Sequence, residues 1–238
     1  MRTVTALTIV AVLLPYARVG AASRARGEGA PHTPAASSTI ALPPVMVSVY
    51  AAPHIPASTI ARMLAETADV WRPNGVTFVW MRGPEEVAPY GRDGGTRYRP
   101  STLRVTIDRE RGGHTADGQT PLGWILFDRP DEPDQEIHVS YANAEALLDA
   151  SAAVVGSVST MPRLERELYI ARALGRALAH ELGHYLLASK AHTERGLMQT
   201  NRSAGEFFGR QRVHFELDET QKQRAVSRLA QTMLLSRR

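Results

Sequence analysis

From residue 162 to residue 187, apolar side chains recur every three or four positions. Leu164, Leu168, Ala171, Leu174, Leu178, Leu182 and Leu186 fall on one arc at 100° per residue. The pattern predicts a long amphipathic helix from about Pro162, near its first turn, to about Leu187. His180 and His184 fall roughly opposite the arc, beside Ala173 and Ala177. The arc is thus expected to pack on a sheet while the imidazoles look away from it into a cleft. Gly175 costs about 1 kcal/mol in a helix interior relative to alanine, which predicts close packing at that point.

Upstream the period changes. Val45–Tyr50 alternates and is β-branched, the pattern of a strand. Pro56–Trp71 carries Ile60, Met63, Leu64, Ala68 and Trp71 on one helical stripe, with Ser58 as its expected cap. Further strands are expected at Gly75–Met81, Leu103–Asp108, Leu122–Phe127 and Glu136–Tyr141, and a short helix at Asn143–Ala150. The segments 83–100 and 111–120 read as surface loops. Downstream, Thr200–Arg212 is irregular, with Phe207 and Phe208 as anchors. Asp218 then caps a last helix whose apolar members include Val226, Leu229, Ala230 and Met233. This order predicts an α+β fold, a mixed β-sheet packed on the long helix with a small C-terminal helical lobe.

The ends and the composition narrow the setting. Arg2, the apolar run Val4–Leu14 and the small residues Gly20, Ala21 and Ala22 read as an export signal over residues 1–22. The run is shorter than the roughly 20 residues a membrane span needs, so no stable insertion is expected once the signal is removed. The protein is expected to be exported, to a periplasm or beyond the cell. Residues 23–44, rich in Ala, Pro, Ser and Gly, read as a flexible leader or short pro-segment, and 45–238 as a single domain.

Loss of residues 1–22 takes the formal charge from +4 to +2, because Arg2 and Arg18 go and no acid does. No run of five like charges remains, and aromatics are sparse, so a nucleic-acid partner is not expected. The chain has no cysteine. Disulfides and thiolate ligands are therefore excluded, and any metal site must use nitrogen and oxygen donors.

Such donors stand together at His180-Glu181-Leu182-Gly183-His184. Residues i and i+4 of a helix share a face, close enough for two imidazoles to hold one ion, and zinc suits them. Glu181 stands where a general base for an activated water is needed. His192, eight residues on, would lie about 12 Å along the axis from His184 if the helix continued, at 1.5 Å per residue. For His192 to be the third ligand, the chain must leave the helix after Leu187 and fold back. Glu194 is the rival third ligand. His138 and His214 read as structural or surface residues, and Tyr185 as packing.

These residues resemble the zincin metallopeptidases, and the third histidine with Met198 resembles their metzincin branch. His180, Glu181 and His184 match the family's His-Glu-x-x-His, and Met198 matches its turn methionine. Leu187 stands where the family has glycine, His192 comes two residues late, and Lys190 takes its usual place. The resemblance implies a zincin-like fold, one Zn2+ held by His180, His184 and His192, Met198 in a turn beneath it, and Glu181 as the base. It also implies a peptide or protein substrate aligned on an edge strand, for which Glu136–Tyr141 and Leu122–Phe127 are the candidates. The expected function is that of an exported zinc metallopeptidase. A zinc-binding or regulatory domain without turnover is the alternative.

Overall fold

Val45, Val47 and Val49 are buried on one side of their strand, and Met46 lies exposed on the other, as alternation demands. The computed structural model describes residues 3–6, 42–82, 103–112 and 120–236, with side chains placed from 42 to 231 within those ranges. The loop expected at 83–100 and most of the one at 111–120 lie outside the described residues, as does most of the leader. The strands are β1 (Thr3–Ala6), β2 (Val45–Ala51), β3 (Phe78–Arg82), β4 (Leu103–Asp108), β5 (Gly123–Arg129) and β6 (Glu132–Ser140). They form one mixed sheet in the order β1-β5-β6-β4-β2-β3. β2, β3, β4 and β6 run parallel to their neighbours among these four, and β5 is antiparallel to β6.

The parallel pair β2–β3 needs a crossover, and α1 (Ala57–Trp71) supplies it. β5 and β6 instead meet through a tight turn at Pro130 and Asp131. β6 starts earlier than the expected Glu136–Tyr141 strand, because pairing with β5 continues out to that turn. It ends at Ser140, whose hydroxyl accepts from Asn143 N at 3.2 Å and caps α2 (Tyr141–Ala150). Tyr141 therefore belongs to the helix. Position in the sheet also corrects one expectation: β6 lies between β5 and β4, so Glu136–Tyr141 cannot be an edge. The end strands are β1 and β3, so the other candidate edge, Leu122–Phe127 in β5, is interior as well: Thr3–Ala6, inside the expected export segment, pairs antiparallel with it.

After a short helix, α3 (Ala152–Val155), comes the long helix α4 (Arg163–Leu187), with boundaries close to those its periodicity predicts. α1 packs against it at Gly175. A Cβ there would lie 2.7 Å from Glu66 Cβ and from Met63 O, so only glycine lets the two backbones approach. Thr67 Oγ1 donates to Gly175 O at 2.9 Å, and Trp71 Nε1 donates to Ala179 O at 3.1 Å.

The buried face of α1 includes Glu66 and Thr67 as well as the apolar stripe. Ser58 is not the cap. Pro56 precedes the first turn, and Ser58 Oγ donates to Glu167 at 3.1 Å. The arc on α4 is likewise only part of its buried surface. Leu164 is exposed, whereas from Ile170 to Leu187 nearly every residue is covered, whatever its polarity.

The C-terminal lobe comprises α5 (Ala204–Phe208) and α6 (Glu219–Ser236). Phe207 and Phe208 are buried anchors, as expected. Asp218 Oδ1 accepts from Gln221 N at 2.8 Å, which is the expected cap. Ala225 and Leu229 carry the burial of α6, while Val226 and Ala230 face outward. No helix among the described residues is long and apolar enough to cross a membrane.

Candidate metal centre

The site begins where α4 stops. Ala188 takes a left-handed conformation, φ 44° and ψ 53°, and Ser189 N donates back to His184 O at 3.3 Å. Such a reversal favours glycine, and alanine carries a strain of about 1–2 kcal/mol there. The reversal brings His192 back beside the helix. Thr193 then bridges to Gln199, with Thr193 N donating to Met198 O at 3.0 Å. Gly196, at φ 80°, turns the chain between them.

Three imidazoles converge as a result. His184 Nε2 lies 3.0 Å from His180 Nε2 and 3.1 Å from His192 Nε2, and the three possible ligand atoms all fall within 4.8 Å of one another. His180 and His184 are fully buried, and His192 is more open to solvent. His180 Nδ1 donates to Leu197 O at 2.8 Å, and His184 Nδ1 donates to Ser189 O at 2.6 Å. Those carbonyls only accept, so each Nδ1 carries the proton and each Nε2 is left with a lone pair.

Burial holds both imidazoles neutral. It pushes His180 well below the ordinary histidine value, helped by His184 and His192, and pushes His184 down to about 3. Burial lowers His192 as well. Two neutral rings that face each other through lone pairs at 3.0 Å have no proton to share. A cation between them relieves this. A tetrahedral zinc with bonds of 2.0–2.1 Å sets its ligand nitrogens about 3.3 Å apart, close to what is found here. The donor set fits zinc.

Glu181, also fully buried, lies on the flank of α4 toward β5. Its Cγ is 3.2 Å from where a Cβ on Gly123 would stand, so glycine in the strand makes room for the carboxylate. The His184 ring meets Phe127 of β5 edge-on at 6.4 Å, and Lys190 Nζ lies 5.2 Å from the same phenyl ring. This corrects the expected orientation. The His184 ring and Glu181 do not look away from the sheet but stand against β5, at Phe127 and Gly123.

Met198 is buried with its Sδ against Gly183, the residue before His184, and a Cβ at Gly183 would collide with it. Glu194 stands exposed and is not among the grouped ligands. His138 stacks on Trp124 at 5.2 Å, His214 is exposed, and Tyr185 packs under Arg228.

Sequence reasoning missed Gly123, Gly183 and Arg202. The two glycines sit in plain strand and helix patterns, and each is explained only by what approaches it. Arg202 carries no local signal at all. Its fully buried guanidinium donates to Gly196 O and Glu206, and lies 3.9 Å from the Phe215 ring centroid.

No family model matches the chain, and no curated protein matches it. Among solved structures it is similar to the crystal structure of archaemetzincin from Methanopyrus kandleri, at 17% identity and a TM-score of 0.42, over 79% of this chain and 96% of that one. At that distance, any functional reading rests on the side chains themselves.

Proposed function

We propose that the chain is an exported zinc metallopeptidase that hydrolyses peptide bonds with Glu181 as general base. The observation that carries this reading is the convergence of three Nε2 atoms, two of them from the turn of α4 that also carries the buried Glu181. His180, His184 and His192 would hold one Zn2+, with Met198 packed under the second ligand's turn of helix. Zinc bound there supplies Lewis acidity, activating a water and polarising a peptide carbonyl. His180 and His184 contribute rings fixed by their Nδ1 bonds, so little reorganisation is needed at Nε2. Glu181 takes the proton from the water and returns it to the leaving amine. β5 would align an extended substrate. The antiparallel pairing of Thr3–Ala6 with β5 supports this, because an extended segment already uses that ladder. Removal of residues 1–22 on export would leave the ladder open.

The full chain is expected to hold about one zinc and to cleave an unstructured polypeptide until a chelator is added. Glu181→Gln should keep the metal, measured by atomic spectrometry, and lose turnover by a factor of about 100 or more. Zinc retained by the wild type with no cleavage of any peptide library would favour the non-catalytic zinc-binding domain instead. Absence of zinc binding would end both readings.

A further inference from the structure

Leu197 O, the acceptor that fixes the His180 ring, is itself held from behind. Arg202 Nη2 donates to it at 3.4 Å and also to the adjacent Gly196 O, while His180 Nδ1 donates to it at 2.8 Å. Arg202 Nη1 donates to Glu206 Oε1 at 3.3 Å. The other carboxylate oxygen of Glu206 accepts from Ser203 N and Ser203 Oγ, both at 2.9 Å, closing the capping box of α5. Phe215 covers the guanidinium. A continuous path therefore runs from the α5 cap through Glu206, Arg202 and Leu197 O to the histidine ring.

We propose that Arg202 is a positioning residue for the metal site, holding the Leu197 carbonyl so that His180 keeps its proton on Nδ1 and its lone pair on Nε2. The proposal rests on the metal-site reading above for its consequence, but its first step lies wholly within this chain. A guanidinium suits the task because its planar fork reaches two successive carbonyls and a carboxylate at once, whereas an ammonium is a single point of charge. Burying such a group is costly unless its protons meet acceptors. Here Nη1 and Nη2 find them in Glu206 and in the backbone of the turn that carries Met198, while Nε has no partner among the described residues. Burial lowers Arg202 to about 10, partly offset by Glu206, so it stays charged at neutral pH.

The test uses the full chain, labelled with 15N at histidine, metal-free and then titrated with zinc against a chromophoric chelator. In the wild type, long-range proton–nitrogen correlations should show His180 protonated on Nδ1. Arg202→Lys should leave the fold intact by circular dichroism, mix the His180 tautomers, and raise the zinc dissociation constant about tenfold. The His184 signal, whose acceptor is Ser189 O, should not move. Glu206→Gln, which weakens the anchor without removing the guanidinium, should act in the same direction by a smaller factor. It decides the matter if Arg202→Lys does not fold.

A folded variant with the wild-type tautomer and wild-type zinc affinity would overturn the proposal, leaving Arg202 as a residue that only ties the turn to α5. A wild-type His180 protonated on Nε2 would overturn it too. A wild type that binds no zinc would instead remove the metal reading, and the tautomer shift would still test Arg202.

Discussion

Arg176 and His180 stand one helical turn apart on α4, both fully buried, and their surroundings differ in kind. Around Arg176, charge is matched by charge. Its Nε donates to Glu66 Oε1 at 2.8 Å, its remaining donors reach the carbonyls of Glu206, Phe207 and Gln211, and Arg212 takes the second oxygen of Glu66 at 2.6 Å. Burial alone would raise Glu66, but Arg212 and Arg176 outweigh it and hold the carboxyl below its ordinary value. Around His180, by contrast, three imidazoles bring their Nε2 atoms together, and those of His180 and His184 face each other as lone pairs. The first cluster is closed and fastens α1 and the C-terminal lobe to α4. The second is shaped for a cation from outside. Burial of polar groups on one helix thus serves cohesion in one place and, in the proposed reading, metal binding in the next.

Four measurements would break or sharpen this contrast. The largest effect is expected at the closed cluster. Glu66→Ala leaves Arg176 buried without its carboxylate and should cost about 3–5 kcal/mol in denaturant unfolding. A Glu66→Met, Arg176→Leu pair should recover most of it, and a pair as unstable as the single change would deny that matched charge is what matters.

Next, zinc at a hundredfold excess over its dissociation constant should stabilise the wild type by about 2.7 kcal/mol. It should not stabilise His184→Ala, and equal stabilisation of both would place the metal elsewhere.

The third measurement is the pH dependence of the metal-free protein. The folded-state values of His180 and His184 are depressed, so the unfolded chain binds protons first as the pH falls. The stability they contribute is complete above about pH 6.5 and should decline as the pH falls below it. Unfolding free energies that stay flat from pH 7 to pH 5 would contradict the buried neutral pair. The smallest effect is expected at Ala188→Gly, which relieves the left-handed residue and should stabilise the fold by at most about 1 kcal/mol in thermal unfolding.

The elements that could be read from the chain were those with a strong local period. β2, β4, α1 and α4 announce themselves in their alternation or stripe, and His180, Glu181 and His184 are one helical turn whose spacing is local geometry. His192 was legible only conditionally. Its approach needs a reversal at Ala188, a residue with no turn preference, and the hydrogen bonds around Ser189 and the Thr193–Gln199 bridge supply it. The orientation of the site is hidden from the sequence because hydropathy marks which residues are apolar, not which neighbours cover the others. Glu66 and Arg176 look like solvent-facing charges in the sequence and are buried because each is the other's partner.

The sequence by itself determined the long helix, the run of strands before it, and the two imidazoles and carboxylate on one turn, since all of these follow from residue spacing along a regular backbone. Tertiary structure decided which strand lies outermost, which carbonyls fix the rings, and that Arg202 stands behind His180. Those relations join residues far apart in the chain, and no local period records the approach of one backbone to another.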